Sequence, residues 1–143
     1  MLFRSDLPFE TPSVDIHEMS PLALAFVGDA VLELLVRSRL VSTTRLPPGK
    51  LHAAATRYVS ARAQFRELDA ILPLLSDAEA AALRRGKNAS KASVAKHATA
   101  EEYRASTGLE CLLGWLYLQG RIDRVQELFE TLWQAGGEQE AQK

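Results

Sequence analysis

The sequence predicts an all-α protein on three observations. Helix-start signatures recur along the chain, apolar residues between them follow helical spacing, and no β-alternation of useful length or internal repeat intervenes. Ser20-Pro21 opens the first helix, with serine as N-cap and proline at the first helical position, where its missing N–H costs nothing. This helix is expected to run to about Leu40 and to be largely buried, with Glu33, Arg37 and Arg39 marking a wetter C-terminal end. Ser42-Thr43-Thr44 and Pro47-Pro48-Gly49 form the next break. Leu51, Ala55, Tyr58, Val59, Ala63, Phe65 and Leu68 then recur at mostly helical spacing, predicting one long second helix from Leu51 to about Leu72.

Ser76-Asp77-Ala78-Glu79 is a capping box, in which serine and glutamate each satisfy a backbone N–H at the helix start. It predicts a short helix through Leu83, which Gly86 can stop. Lys87 to His97 has no clean period and reads as a loop. A second box, Thr99-Ala100-Glu101-Glu102, opens a helix that Gly120 ends, and a last helix runs from Ile122 to about Trp133 before Gly136-Gly137. The expected organisation is an extended arm over 1–19, a domain of about five to seven helices over 20–135, and a flexible tail over 136–143.

With 143 residues, 47% of them hydrophobic, the chain fits one domain with a real core. No run reaches the roughly 18 apolar residues of a membrane span. The start, Met1-Leu2-Phe3-Arg4-Ser5-Asp6, lacks the apolar stretch of a secretory signal, so a cytoplasmic address is expected. The lone Cys111 leaves no internal disulfide or cysteine zinc cage and is expected to be a small core residue. His17, His52 and His97 show no ligand spacing, and no phosphate-binding glycine loop or nucleophile elbow is present. The formal net charge of −1 hides an uneven distribution. Ala80 to Ala100 has no acid yet holds Arg84, Arg85, Lys87, Lys91, Lys96 and His97, a segment suited to phosphates.

Two acids stand inside apolar helical runs. Asp29 lies in Phe26-Val27-Gly28-Asp29-Ala30-Val31-Leu32-Glu33, and Glu110 in Gly108-Leu109-Glu110-Cys111-Leu112-Leu113-Gly114. Burying such an acid is costly unless it is paired, protonated or bound to a metal. The small residues Ala25, Gly28, Thr107 and Gly114 on the same faces let another helix or a substrate come close. If the two helices pack together, the carboxylates converge as hard oxygen ligands suited to Mg²⁺. The plainer reading is a polar stripe or the partner of a buried arginine, and periodicity alone leaves both open.

Five ordered motifs between Pro21 and Leu118 resemble the ribonuclease III catalytic domain in its short, mini form. They are Phe26-Val27-Gly28-Asp29-Ala30-Val31-Leu32-Glu33; Leu51-His52 with Tyr58-Val59-Ser60-Ala61-Arg62-Ala63-Gln64; Arg85-Gly86-Lys87-Asn88-Ala89; Tyr103-Arg104-Ala105-Ser106-Thr107-Gly108-Leu109-Glu110; and Leu113-Gly114-Trp115-Leu116-Tyr117-Leu118. The resemblance implies an all-helical, homodimeric endoribonuclease that cuts double-stranded RNA with Mg²⁺ and lacks a separate RNA-binding domain. The short stretch after Leu118 agrees with that expectation. The resemblance further implies maturation of precursor 23S ribosomal RNA. A ribosomal protein as stimulator is left open, and no membrane is expected.

On this resemblance Asp29 and Glu110 are the catalytic, metal-holding acids, and Glu33, one turn on, is a candidate to support the ion through water. Full-length relatives place four acids at the metal centre; here Ala25 and Thr107 stand at the other two positions. One well-held Mg²⁺ per subunit is expected, any second ion relying on water and RNA phosphate. Arg84, Arg85, Lys87, Asn88, Lys91 and Lys96 are the candidate RNA grip, read against the bland alternative of a solvated basic loop. Trp115, Tyr117 and Phe129 are expected to be core before interface. The rival function is a catalytically silent relative that binds structured RNA or ribosomal particles.

Overall fold

The computed structural model describes residues 3–4, 6–91 and 98–141, with side chains over 6–91 and 98–137. Six α-helices carry the described fold: α1 (Pro21–Thr43), α2 (Pro48–Val59), α3 (Ala61–Ile71), α4 (Asp77–Ala89), α5 (Ala100–Leu118) and α6 (Ile122–Ala141). The N-terminal arm is folded back rather than simply extended. Phe3–Arg4 (β1) pairs antiparallel with Thr11–Pro12 (β2), Leu7 is buried, and a single 3₁₀ turn spans Ile16–Glu18. No described helix is long and apolar enough to cross a membrane.

α5 is the central element, packed by α1, α3, α4 and α6. It is apolar on nearly every side, as a fully surrounded helix must be. Leu109, Leu112, Leu113 and Leu116 meet Leu32, Val36 and Leu40 of α1, Leu68 and Ile71 of α3, and Val125, Leu128, Phe129 and Leu132 of α6 in one core. Phe129 is thus core, while Trp115 and Tyr117 are half-buried against it. The Tyr58 and Trp133 rings stack with centroids 4.2 Å apart, and Arg39 lies over the Phe129 and Trp133 rings while pairing with Glu130.

The predicted helix starts at Ser20, Ser76 and Thr99 are all present. Each side-chain oxygen accepts from a backbone N–H three residues on, and both capping boxes are closed by Glu79 and Glu102. Three expectations are corrected. The single helix over Leu51–Leu72 is two, because Ser60 ends α2 and caps α3 by accepting from the Ala63 N–H. α4 passes through Gly86 to Ala89, so Lys87 and Asn88 are helical rather than in a loop. α6 continues through Gly136 and Gly137 to Ala141, beyond its predicted end near Trp133. Gly120 does end its helix, adopting a φ of 77° that other residues avoid.

Candidate active site

The site is built where α1 crosses α5. A Cβ on Gly28 would overlap the carbonyl oxygen of Glu110, and one on Gly114 would overlap that of Leu24. Only glycine at both positions lets the two backbones approach this closely. Asp29 follows Gly28 directly and Glu110 is the residue that Gly28 touches, so the crossing sets the two carboxylates side by side. Packing thus resolves what periodicity left open: the acids converge.

Their environment is anionic. Burial, then the hydrogen bond and charge of Asp29, push the Glu110 carboxyl up to about 8, opposed only by the Gln64 amide. Glu33 adds to the rise from one turn along α1, where it also pairs with Arg37 at 2.7 Å. The acids open onto a cleft of about 670 Å³ walled by Val59, Ser60, Arg62 and Gln64 from the α2–α3 junction and by Tyr103 and Ser106 of α5. Arg62 stands at its rim, 3.7 Å from Glu102.

The two positions where larger relatives carry acids are otherwise employed. Ala25 is buried with Leu24, Cys111 and Leu118, so apolar packing fills that place. The Thr107 hydroxyl lies 3.0 Å from the Tyr103 carbonyl and 3.3 Å from the Ser90 hydroxyl. Cys111 is fully buried, and that burial pushes its thiol up to about 11, consistent with a core residue. Among the described residues no group of three or more His, Cys, Asp or Glu side chains gathers for a metal. Two carboxylates are the acidic donor set.

Of the candidate RNA-grip residues, Arg84, Arg85, Asn88 and Lys91 are exposed, and Lys87 is half-buried with its stem against Gly108. Lys96 and His97 lie outside the described residues. The Ser90–Thr107 contact ties the C-terminal end of α4 to α5 one turn before Glu110, while Arg85 lines a separate pocket with Leu24 and Trp115. Sequence reasoning passed over Gln64, Arg62, Tyr103 and Ser106 as site residues. Gln64 carried the one available signal, a polar side chain among the buried positions of α3.

The Ribonuclease III domain family model matches residues 22–121, which include both acids and the basic end of α4. Among curated relatives, the mini-ribonuclease 3 of Brevibacillus brevis is 42% identical over 116 residues, covering 81% of this chain and 87% of its own. The mini-ribonuclease 3 of Enterococcus faecalis is 40% identical over 126 residues, covering 87% and 96%. A crystal structure of a Fusobacterium nucleatum protein superposes with a TM-score of 0.75 at 26% identity, covering 85% of this chain and 98% of that one. The fold, the motif order and these matches agree: the chain belongs to the ribonuclease III family, among the mini-ribonucleases.

Proposed function

We propose that this endoribonuclease hydrolyses double-stranded RNA with Mg²⁺ held by Asp29 and Glu110. We further propose that it acts as a cytoplasmic homodimer in the maturation of precursor 23S ribosomal RNA. One observation carries the reading: the glycine crossing of α1 and α5 presses two carboxylates together at the wall of an open cleft. Such a pair is unfavourable in itself and suits a divalent cation, for which hard carboxylate oxygens are the fitting donors. When bound, Mg²⁺ supplies Lewis-acid polarisation of the phosphate and a more acidic water.

The chain's own residues do the rest. Glu110 would give up the proton it otherwise holds, and Asp29 and Glu110 would then hold the ion. The glycine crossing keeps their separation constant. Glu33, half-exposed and paired with Arg37, is placed to support the ion through water. The exposed side chains of Arg84, Arg85, Asn88 and Lys91, with Lys87, face a phosphate backbone read by shape. Arg62 and Tyr103 offer donors along the cleft wall to 2′-hydroxyls and phosphates, and Ser106, whose proton goes to the Tyr103 carbonyl, offers an acceptor.

A second copy is the proposed occupant of the outer face of α1. Leu22, Phe26 and Leu34 are exposed there, Phe26 at 83%, at successive spacings of four and eight residues that turn them toward one side of the helix. Phe26 is three residues from Asp29, so a two-fold pair on this face brings two cutting sites to one duplex.

A single experiment tests the reading. The chain's mass in solution is measured, and cleavage of a long RNA duplex and of precursor 23S RNA is followed with Mg²⁺ and with EDTA. A dimer that cuts only with Mg²⁺ is expected, with Asp29→Asn and Glu110→Gln inactive though still able to bind duplex. Duplex binding without Mg²⁺-dependent cutting would instead identify a silent binder.

A further inference from the structure

Gln64 is held in one orientation by the break between α2 and α3. In an unbroken helix the Val59 carbonyl would accept from the Ala63 N–H. Here that N–H donates to the Ser60 hydroxyl at 3.1 Å, and the freed Val59 carbonyl accepts from the Gln64 Nε2 at 2.9 Å. The same Nε2 reaches the Glu110 Oε2 at 3.5 Å. Turning the amide over would set its oxygen against the Val59 carbonyl, which can only accept, so the nitrogen must face it. The consequence is that Gln64 Oε1 is buried with no donor, although the residue is only 1% exposed. A buried acceptor left unmatched is costly, and a side chain kept for packing alone would be apolar.

We propose that Gln64 is the positioning residue of the acid pair: its backbone-anchored amide fixes the Glu110 carboxylate beside Asp29 for the divalent ion. The proposal rests on the reading of Asp29 and Glu110 as the metal-holding acids. It supplies a reason for the broken helix, since only the break at Ser60 frees the carbonyl that locks the amide. It also bears on the missing acids. With Ala25 and Thr107 in place of carboxylates, the orientation of Glu110 rests on a neutral amide that adds no charge to an already anionic cluster. The bond to Glu110 is long, and contacts of this kind tighten when the site is loaded.

The test is Gln64→Met, which keeps length and shape while removing the amide, with Gln64→Leu as a second variant and Asp29→Asn as reference. The expected single-turnover rate at saturating duplex falls about tenfold to a hundredfold, the size of loss seen when the partner of a metal ligand is removed. KM for duplex stays within about twofold. The melting temperature without metal stays within a few degrees, since one unmatched acceptor (Oε1) is exchanged for another (the Val59 carbonyl). The rise in melting temperature that Mg²⁺ gives the native chain shrinks, a readout independent of catalysis. A native rate and a native Mg²⁺ response in both variants would overturn the proposal. So would a rate that falls only as stability falls, or variants that do not fold, because the amide would then serve the core alone. If Asp29→Asn also cuts at the native rate, the assignment of the acid pair fails first.

Discussion

Glu79 and Glu110 are both glutamates of helices packed into the core, and they end in opposite states. Glu79, 1% exposed, receives the Arg124 guanidinium through two bonds of 2.8 and 2.9 Å and the Ser76 N–H at 2.9 Å. Those bonds, led by Arg124, hold its carboxyl down to about 2. Glu110 faces another carboxylate instead and is pushed up to about 8. At the first position the fold has neutralised a buried charge and joined the start of α4 to α6. At the second it has set the acid against another carboxylate beside open space, so that Glu110 keeps its proton. The contrast teaches that burial of an acid says little by itself; the company it keeps separates a structural role from a chemical one.

Breaking each member of the comparison gives different losses. The largest is expected for Asp29→Asn or Glu110→Gln, which should lower cleavage by about a thousandfold or more while leaving the metal-free protein at least as stable. Duplex cleavage beside thermal melting checks this, and full activity in either variant would remove the pair from the site. Arg124→Ala should do the reverse. Stranding Glu79 in the core costs about 3 kcal/mol in urea unfolding, with cleavage preserved at temperatures where the protein stays folded.

The pH dependence sharpens the comparison further. Glu79, held low, contributes stability that is present above its ordinary value of 4.5 and lost as pH falls toward about 2. Glu110 is held high, so the metal-free fold is favoured below 4.5 and loses stability as pH rises toward about 8. Glu67, buried beside Tyr58 and Gly136 and raised by that burial to about 9, acts in the same direction. Melting temperatures without metal should therefore peak in mildly acidic buffer. Mg²⁺ should stabilise more at pH 8 than at pH 6, and Glu110→Gln should soften the alkaline decline. A melting curve flat from pH 5 to 8 would contradict the raised carboxyls.

The smallest effect is expected at the basic end of α4. Replacing Lys87 and Lys91 with alanine should weaken duplex binding and reduce the slope of log affinity against log salt by about one to two. An unchanged slope would make this surface a solvated face and nothing more.

Much of this was legible in the chain. Helix starts are written locally: Ser20, Ser76 and Thr99 each cap with their own side chain, needing nothing from distant residues. The breaks were harder. Ser60 lies inside a continuous apolar pattern, and the pattern persists because α2 and α3 both face the core. Gly86 reads as a stop yet sits mid-helix, because a Cβ there would press on the Cys111 Cβ and the Gly108 backbone. Gly136 likewise lies against the Tyr58 ring. A glycine that ends a helix and one that admits a neighbouring helix look alike until the neighbour is known.

The sequence by itself determined the all-helical class, the helix starts at Ser20, Ser76 and Thr99, the family, and Asp29 and Glu110 as the acids worth watching. Each of these depends on residue identity, local spacing or motif order. Tertiary structure decided that the two acids meet, that Glu79 faces a guanidinium while Glu110 faces a second carboxylate, and that Gln64 stands behind the pair. Those outcomes depend on which backbones approach across α1 and α5, and on which carbonyl a broken helix leaves free. Both are long-range matters of steric fit, set by Gly28, Gly114 and Ser60 acting on residues far away in the chain.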